Sequence, residues 1–184
     1  MGYAAIGCEC LIGLTFVLAA LSKVRNGASF RAFVDAVRGL GIARNRAGRV
    51  AVAAVGAEAA VPVLLGIALA GSSALLVAGL VTALALLSAF TAVISVSMRR
   101  GDRVTCRCFG ASGAPMGRRH IARNVLLSVA VLVALVSAVA NPSAQIDAGG
   151  AVIAAAAGCL VALLVAFLDD IVDLFAVGPD VASR

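Results

Sequence analysis

The chain has 184 residues, 62% of them hydrophobic and only 13% charged, with a mean hydropathy of +1.10 and a formal net charge of +6. That composition excludes a soluble globular protein, and the length leaves no room for a water-soluble domain of ordinary size beside several membrane spans. A sequence pI near 9.7 does not point to nucleic acid here, because Lys and Arg gather at the ends of apolar segments, where they report orientation in a lipid bilayer.

Five stretches are long and apolar enough to cross about 30 Å of hydrocarbon as helices. They run approximately from Tyr3 to Ser22, Val50 to Leu69, Ser73 to Ser97, Ile121 to Ala140, and Gly150 to Val172. No Lys or Arg precedes the first of them, so it is expected to stay as a span and not to be removed as a signal peptide. Between spans one and two, from about Ala28 to Ile42, the residues Phe30, Phe33, Val34, Val37 and Leu40 recur at helical spacing while Arg31, Asp35 and Arg38 take the other face. This predicts an amphipathic helix, either lying on the membrane surface or capping the bundle. Gly71-Ser72-Ser73 makes a tight connection between spans two and three, and Asn141-Pro142-Ser143 breaks the chain after span four. With no Trp and a single Tyr, the aromatic belt is weak and interfacial anchoring falls to Arg and Lys. Ala and Gly throughout the spans predict closely packed helices. The expected fold is therefore an all-α integral membrane protein, a single membrane domain with a four-helix core plus one further span and an interfacial helix after the first.

Charge orients it. Lys23, Arg25, Arg31, Arg38, Arg44, Arg46 and Arg49 fall between spans one and two; Arg99, Arg100, Arg103, Arg107, Arg118, Arg119 and Arg123 fall between spans three and four or at the start of four; Arg184 ends the chain. Five spans put all of these on one side. The positive-inside rule then places the amino terminus outside, and the loop from about Met98 to His120 and the carboxyl terminus in the cytoplasm. Asp169, Asp170 and Asp173 end span five on that same side, where salt bridges to the basic loops account for them.

That loop carries the most reactive pattern in the chain, Cys106-Arg107-Cys108-Phe109-Gly110. The thiolate is the reactive form of cysteine, and Arg103 and Arg107 are expected to lower the thiol pKa. A Cys-x-Cys pair can close a small, strained disulfide ring or hand a mixed disulfide from one sulfur to the other. The same pair could instead hold a soft metal ion, or be two incidental small residues in a turn. Phe109 and Gly110 are expected to set the loop's geometry. Cys8 and Cys10 form a second Cys-x-Cys in span one, but residues two apart in a helix point to nearly opposite sides and pair only if the helix start is unwound. Cys159 stands alone in span five. Glu58 lies inside span two, four residues before Pro62, at a depth where an ionisable group suggests function; Lys23 is its expected charged neighbour, and a protonated Glu58 bonded to another helix is the plainer alternative. At the head of span four, Arg123 and Asn124 can hold the cysteine loop through its carbonyls, and His120 can move a proton or simply sit at the interface.

Taken together, Lys23 closing span one, the Glu58-to-Pro62 stretch, and Cys106-x-Cys108-Phe109-Gly110 followed by His120-x-x-Arg123-Asn124 resemble the MauE branch of the MauE/DoxX membrane proteins. The resemblance implies an all-helical bundle of four or five spans in a bacterial plasma (inner) membrane. It also implies a link to disulfide formation or reduction in extracytoplasmic proteins, commonly beside a thioredoxin-fold partner, the founding members being tied to maturation of methylamine dehydrogenase. The leading expectation is a thiol-disulfide redox protein in which Cys106 and Cys108 exchange electrons with such a partner or with a quinone, while Glu58 or His120 handles protons. No covalently bound cofactor and no resident metal are expected. The alternatives are a soft-metal (Cu or Hg) transporter or chaperone and a non-catalytic assembly subunit.

Overall fold

The computed structural model describes residues 2–100, 118–140 and 147–176, with the side chains of 118 and 168–176 left aside. These residues form α1 (Gly2–Val24), α2 (Gly27–Gly39), α3 (Arg44–Ala68), α4 (Ser73–Arg100), α5 (Arg118–Ala140) and α6 (Ala148–Ala176). All but α2 contain a run long and apolar enough to cross a membrane. The chain is a multi-pass helical membrane protein, because only a helix satisfies its own backbone hydrogen bonds in hydrocarbon.

The helix ends follow local chemistry. The Asn26 side chain accepts a hydrogen bond from the Ser29 amide at 2.7 Å and caps α2, as short polar side chains do for the orphan amides of a first turn. Just after α2, Gly41 has φ +83°, and Gly71 after α3 has φ +99°; both are left-handed positions that a side chain would strain. Helix α3 starts at Arg44, earlier than the apolar run alone indicates, so Arg44, Arg46 and Arg49 ride on the helix itself. Inside α3, Pro62 has no N–H to give to the Glu58 carbonyl, which leaves one gap in the helical ladder at that residue.

Helices α1, α3, α4 and α5 surround one apolar core that includes Ile12, Phe16, Val61, Leu80, Val131 and Ala134. Helix α2 buries Phe33, Val34 and Val37 against Ala47 and Ala51 of α3, while Arg31, Asp35 and Arg38 stay on its open face. Its apolar side thus covers the end of the bundle, and the cap is the arrangement found.

Helix α6 adds Ala162 to the edge of this core and packs extensively on α1 alone. The two helices run parallel from the same end: the Asp147 amide donates to the Tyr3 hydroxyl at 3.2 Å, Tyr3 packs over Gly150, and Gly7 meets Ala154 and Gly158. Gly150, Ala154, Gly158 and Ala162 recur every four residues on α6, the small-xxx-small spacing that lets helix backbones touch where lipid offers no hydrophobic drive. A Cβ at Gly158 would collide with the Gly7 carbonyl and stand 3.1 Å from the Gly7 Cα.

Gly158→Ala is therefore expected to lower the unfolding free energy in detergent by about 1–3 kcal/mol, the usual cost of overpacking. Gly56→Ala, where a Cβ meets nothing within 4 Å, should be neutral or stabilising by up to about 1 kcal/mol. Equal effects in thermal or denaturant unfolding would mean that the seam does not hold α6.

Candidate functional site: a buried ion pair and the head of α5

Lys23 sits in the last turn of α1 and Glu58 midway along α3, and the packing of these two helices brings their side chains together. The Lys23 Nζ donates to both carboxylate oxygens of Glu58 at 2.8 Å and to the Ala19 carbonyl at 3.3 Å. An ammonium has three protons, and these acceptors match them. Both side chains are only 1% exposed. The Phe33 ring of α2 has its centroid 5.3 Å from Nζ, and the Phe90 ring of α4 lies 6.0 Å away, distances at which an aromatic face attracts a cation. Contributions from α1, α2, α3 and α4 thus converge on one charge pair.

Beside the pair is a cavity of about 20 Å³ lined by Thr15, Glu58, Phe90 and Asn124 among others; one water-sized probe needs about that much space. The Thr15 hydroxyl is buried without a hydrogen-bond partner among the described residues. From α5, the Asn124 Nδ2 donates to the Thr91 hydroxyl at 3.3 Å, and that hydroxyl donates to the Leu87 carbonyl at 2.7 Å. The next residue back, Arg123, is also buried, with its Nη2 3.4 Å from the Nδ1 of His120. His120 itself is half-buried.

The structure therefore joins Lys23 to Glu58, and Asn124 to the same cavity, from three different helices. Lys23, the charged neighbour expected for Glu58, is the one found beside it. Asn124, expected to reach the cysteine loop, turns to Thr91 on α4. Cys106, Cys108, Arg103, Arg107, Phe109 and Gly110 lie outside the described residues. At the other end of the bundle α1 is helical from Gly2 onward, so Cys8 and Cys10 are not brought together. Cys8 packs on the apolar core, and Cys10 and Cys159 are free thiols, each half-buried.

Several contributors were not singled out from the sequence. Phe33 and Phe90 read as ordinary apolar residues, and Thr15 and Thr91 as neutral ones. Glu9, partly buried between the two cysteines of α1, carried a usable signal: it is an acid within an apolar run, the same feature that marked Glu58.

An apolar four-helix core with a buried ion pair and one added helix defines a polytopic helical membrane protein. The chain belongs to the MauE family, described as methylamine utilisation protein MauE, whose family model matches residues 1–137. That match takes in α1 to α4 and most of α5 and leaves α6 outside it. No curated protein and no solved structure matches the chain.

Removing one partner of a buried pair strands the other charge. Glu58→Gln is expected to cost about 3–5 kcal/mol of stability, and the paired replacement Lys23→Met with Glu58→Leu should recover most of that loss. A double-mutant cycle by denaturant unfolding in mixed micelles checks it; additive losses would show that the two groups are not coupled.

Proposed function

We propose that this protein is a membrane thiol-disulfide redox protein that supports disulfide formation or reduction in extracytoplasmic proteins, with Cys106 and Cys108 as its working couple and a thioredoxin-fold protein as its partner. The observation that supports this most is where the polar residues gather. Helix α4 ends at Arg100 and α5 begins at Arg118, and the sequence between those two helix ends carries Cys106 and Cys108. At that end stand the Lys23–Glu58 pair, Thr91, Asn124, Arg123 and His120.

The chemistry follows from those groups. A thiolate of the couple attacks the partner's disulfide, giving a mixed disulfide and one released thiol. The second cysteine then attacks the mixed disulfide, so that one dithiol is oxidised and one disulfide reduced. The flanking arginines hold the attacking sulfur as thiolate. His120, half-buried on the first turn of α5, is suited to carry the proton released, and Glu58 is the buried carboxylate behind it. The basic clusters favour a cytoplasmic position for this end in a bacterial plasma membrane. The family's description makes methylamine utilisation one setting for such a protein, with a disulfide-rich enzyme subunit as the class of client.

Alkylation of Cys106 and Cys108 in membranes should fall after strong oxidant and return after reductant. Cys106→Ser or Cys108→Ser should each abolish complementation of disulfide maturation in a client. Equal alkylation in both states would end the redox reading. Full activity of the double Ser variant would leave a docking subunit, and stoichiometric Cu(I) or Hg(II) binding without disulfide formation would leave a metal carrier.

A further inference from the structure

The Thr15 hydroxyl is buried beside the Lys23–Glu58 pair without a hydrogen-bond partner among the described residues, and Thr15 lines the same small cavity as Glu58 and Asn124. Thr15, Ala19 and Lys23 recur every four residues on α1, so they share one helix face. Across that face the Lys23 ammonium bonds both the Ala19 carbonyl and Glu58. Asn124 comes to the cavity from α5, and much of the remaining wall is apolar, with Phe16, Leu87 and Leu127 in it. Three polar side chains from three helices therefore line one pocket.

Their donors and acceptors identify what fits between them. A carboxylate offers about four lone-pair sites, and Lys23 takes two of those on Glu58. Asn124 gives an Nδ2 proton to Thr91, which leaves its Oδ1 to accept, and the Thr15 hydroxyl has one proton to give. The cavity thus presents one donor and two acceptors. A molecule that donates two protons and accepts one satisfies all three, and buried water typically makes about three hydrogen bonds of this kind. Size agrees with the count: the cavity measures about 20 Å³, and one water needs roughly 10–15 Å³ of such space. The energetics point the same way, because a buried hydroxyl left without a partner costs its full desolvation penalty.

We infer that this cavity is a binding site for one resident water molecule, which accepts from Thr15 Oγ1 and donates to the Glu58 carboxylate and to Asn124 Oδ1. The water ties α1, α3 and α5 together by hydrogen bonds inside an otherwise apolar core. It also lengthens the reach of Glu58, since a carboxylate exchanges protons through one intervening water. The buried acid then serves the side of α5, the helix that carries His120, as well as Lys23. Thr15 and Asn124 are positioning residues for that exchange. The water site stands on its own hydrogen bonds, and only its use rests on the redox reading: a proton released at the thiol couple reaches Glu58 when the water hands one of its own protons to the carboxylate and takes the incoming one in exchange.

The test uses the full chain with Cys106→Ser and Cys108→Ser, crystallised from a lipid phase at a resolution that shows ordered water. Density for one water is expected within about 2.5–3.2 Å of Thr15 Oγ1, a Glu58 carboxylate oxygen and Asn124 Oδ1. Thr15→Val keeps the shape of the side chain and removes the hydroxyl; it should raise the unfolding equilibrium constant about five-fold or more, because a hydrogen bond to the water is lost. A hydroxyl with no partner predicts the opposite sign, since its removal would stabilise the fold. With both loop cysteines restored, Thr15→Val should slow disulfide maturation of a client by up to about 100-fold, and Thr15→Ser should recover most of that rate. No density at the three-way position, a Thr15 hydroxyl bonded to its own helix, or a stabilising Thr15→Val would overturn the water site. Unchanged maturation in Thr15→Val would overturn its proton role. A parent chain without any maturation activity would count against the redox reading alone, and the density would still decide the site.

Discussion

An ammonium and a carboxylate 2.8 Å apart, each 1% exposed, stand where either alone would be costly. Hydrocarbon does not solvate charge, and a single Lys or Glu at membrane depth carries a penalty of several kcal/mol. Together, and with the Ala19 carbonyl and two aromatic faces around the ammonium, the charges are tolerated. The consequence is geometric. The pair satisfies its hydrogen bonds only when α1 and α3 hold one register, and it gains its aromatic faces only when α4 brings Phe90 and α2 brings Phe33, so an electrostatic demand at one point bears on the arrangement of that whole end of the bundle.

From that arrangement come the neighbours that make chemistry plausible there. Asn124 enters the Glu58 cavity because α5 packs against α4, where Thr91 accepts its amide. His120 and Arg123 are one turn away on the same helix. Several polar groups that each helix would otherwise bury at a loss bond to one another, and the cluster lies toward the end where α4 stops and α5 starts.

The other end works by a different principle. Along the α1–α6 seam glycine and alanine let two parallel backbones meet, and van der Waals contact holds them.

Much of this was legible in the sequence. Hydropathy and length determined five membrane helices and an amphipathic one, because the bilayer demands internally bonded spans of nearly fixed length. Charge economy pointed to Lys23 and Glu58 as partners before any coordinates. What only the tertiary structure decided is which faces meet. Helical periodicity says that Cys8 and Cys10 diverge but not that Gly7 of α1 meets Gly158 of α6, since lipid-facing and helix-facing surfaces are equally apolar. For the same reason Phe33, Phe90, Thr15 and Thr91 carry no sequence signal, and they become parts of a site only when neighbouring helices surround one buried charge.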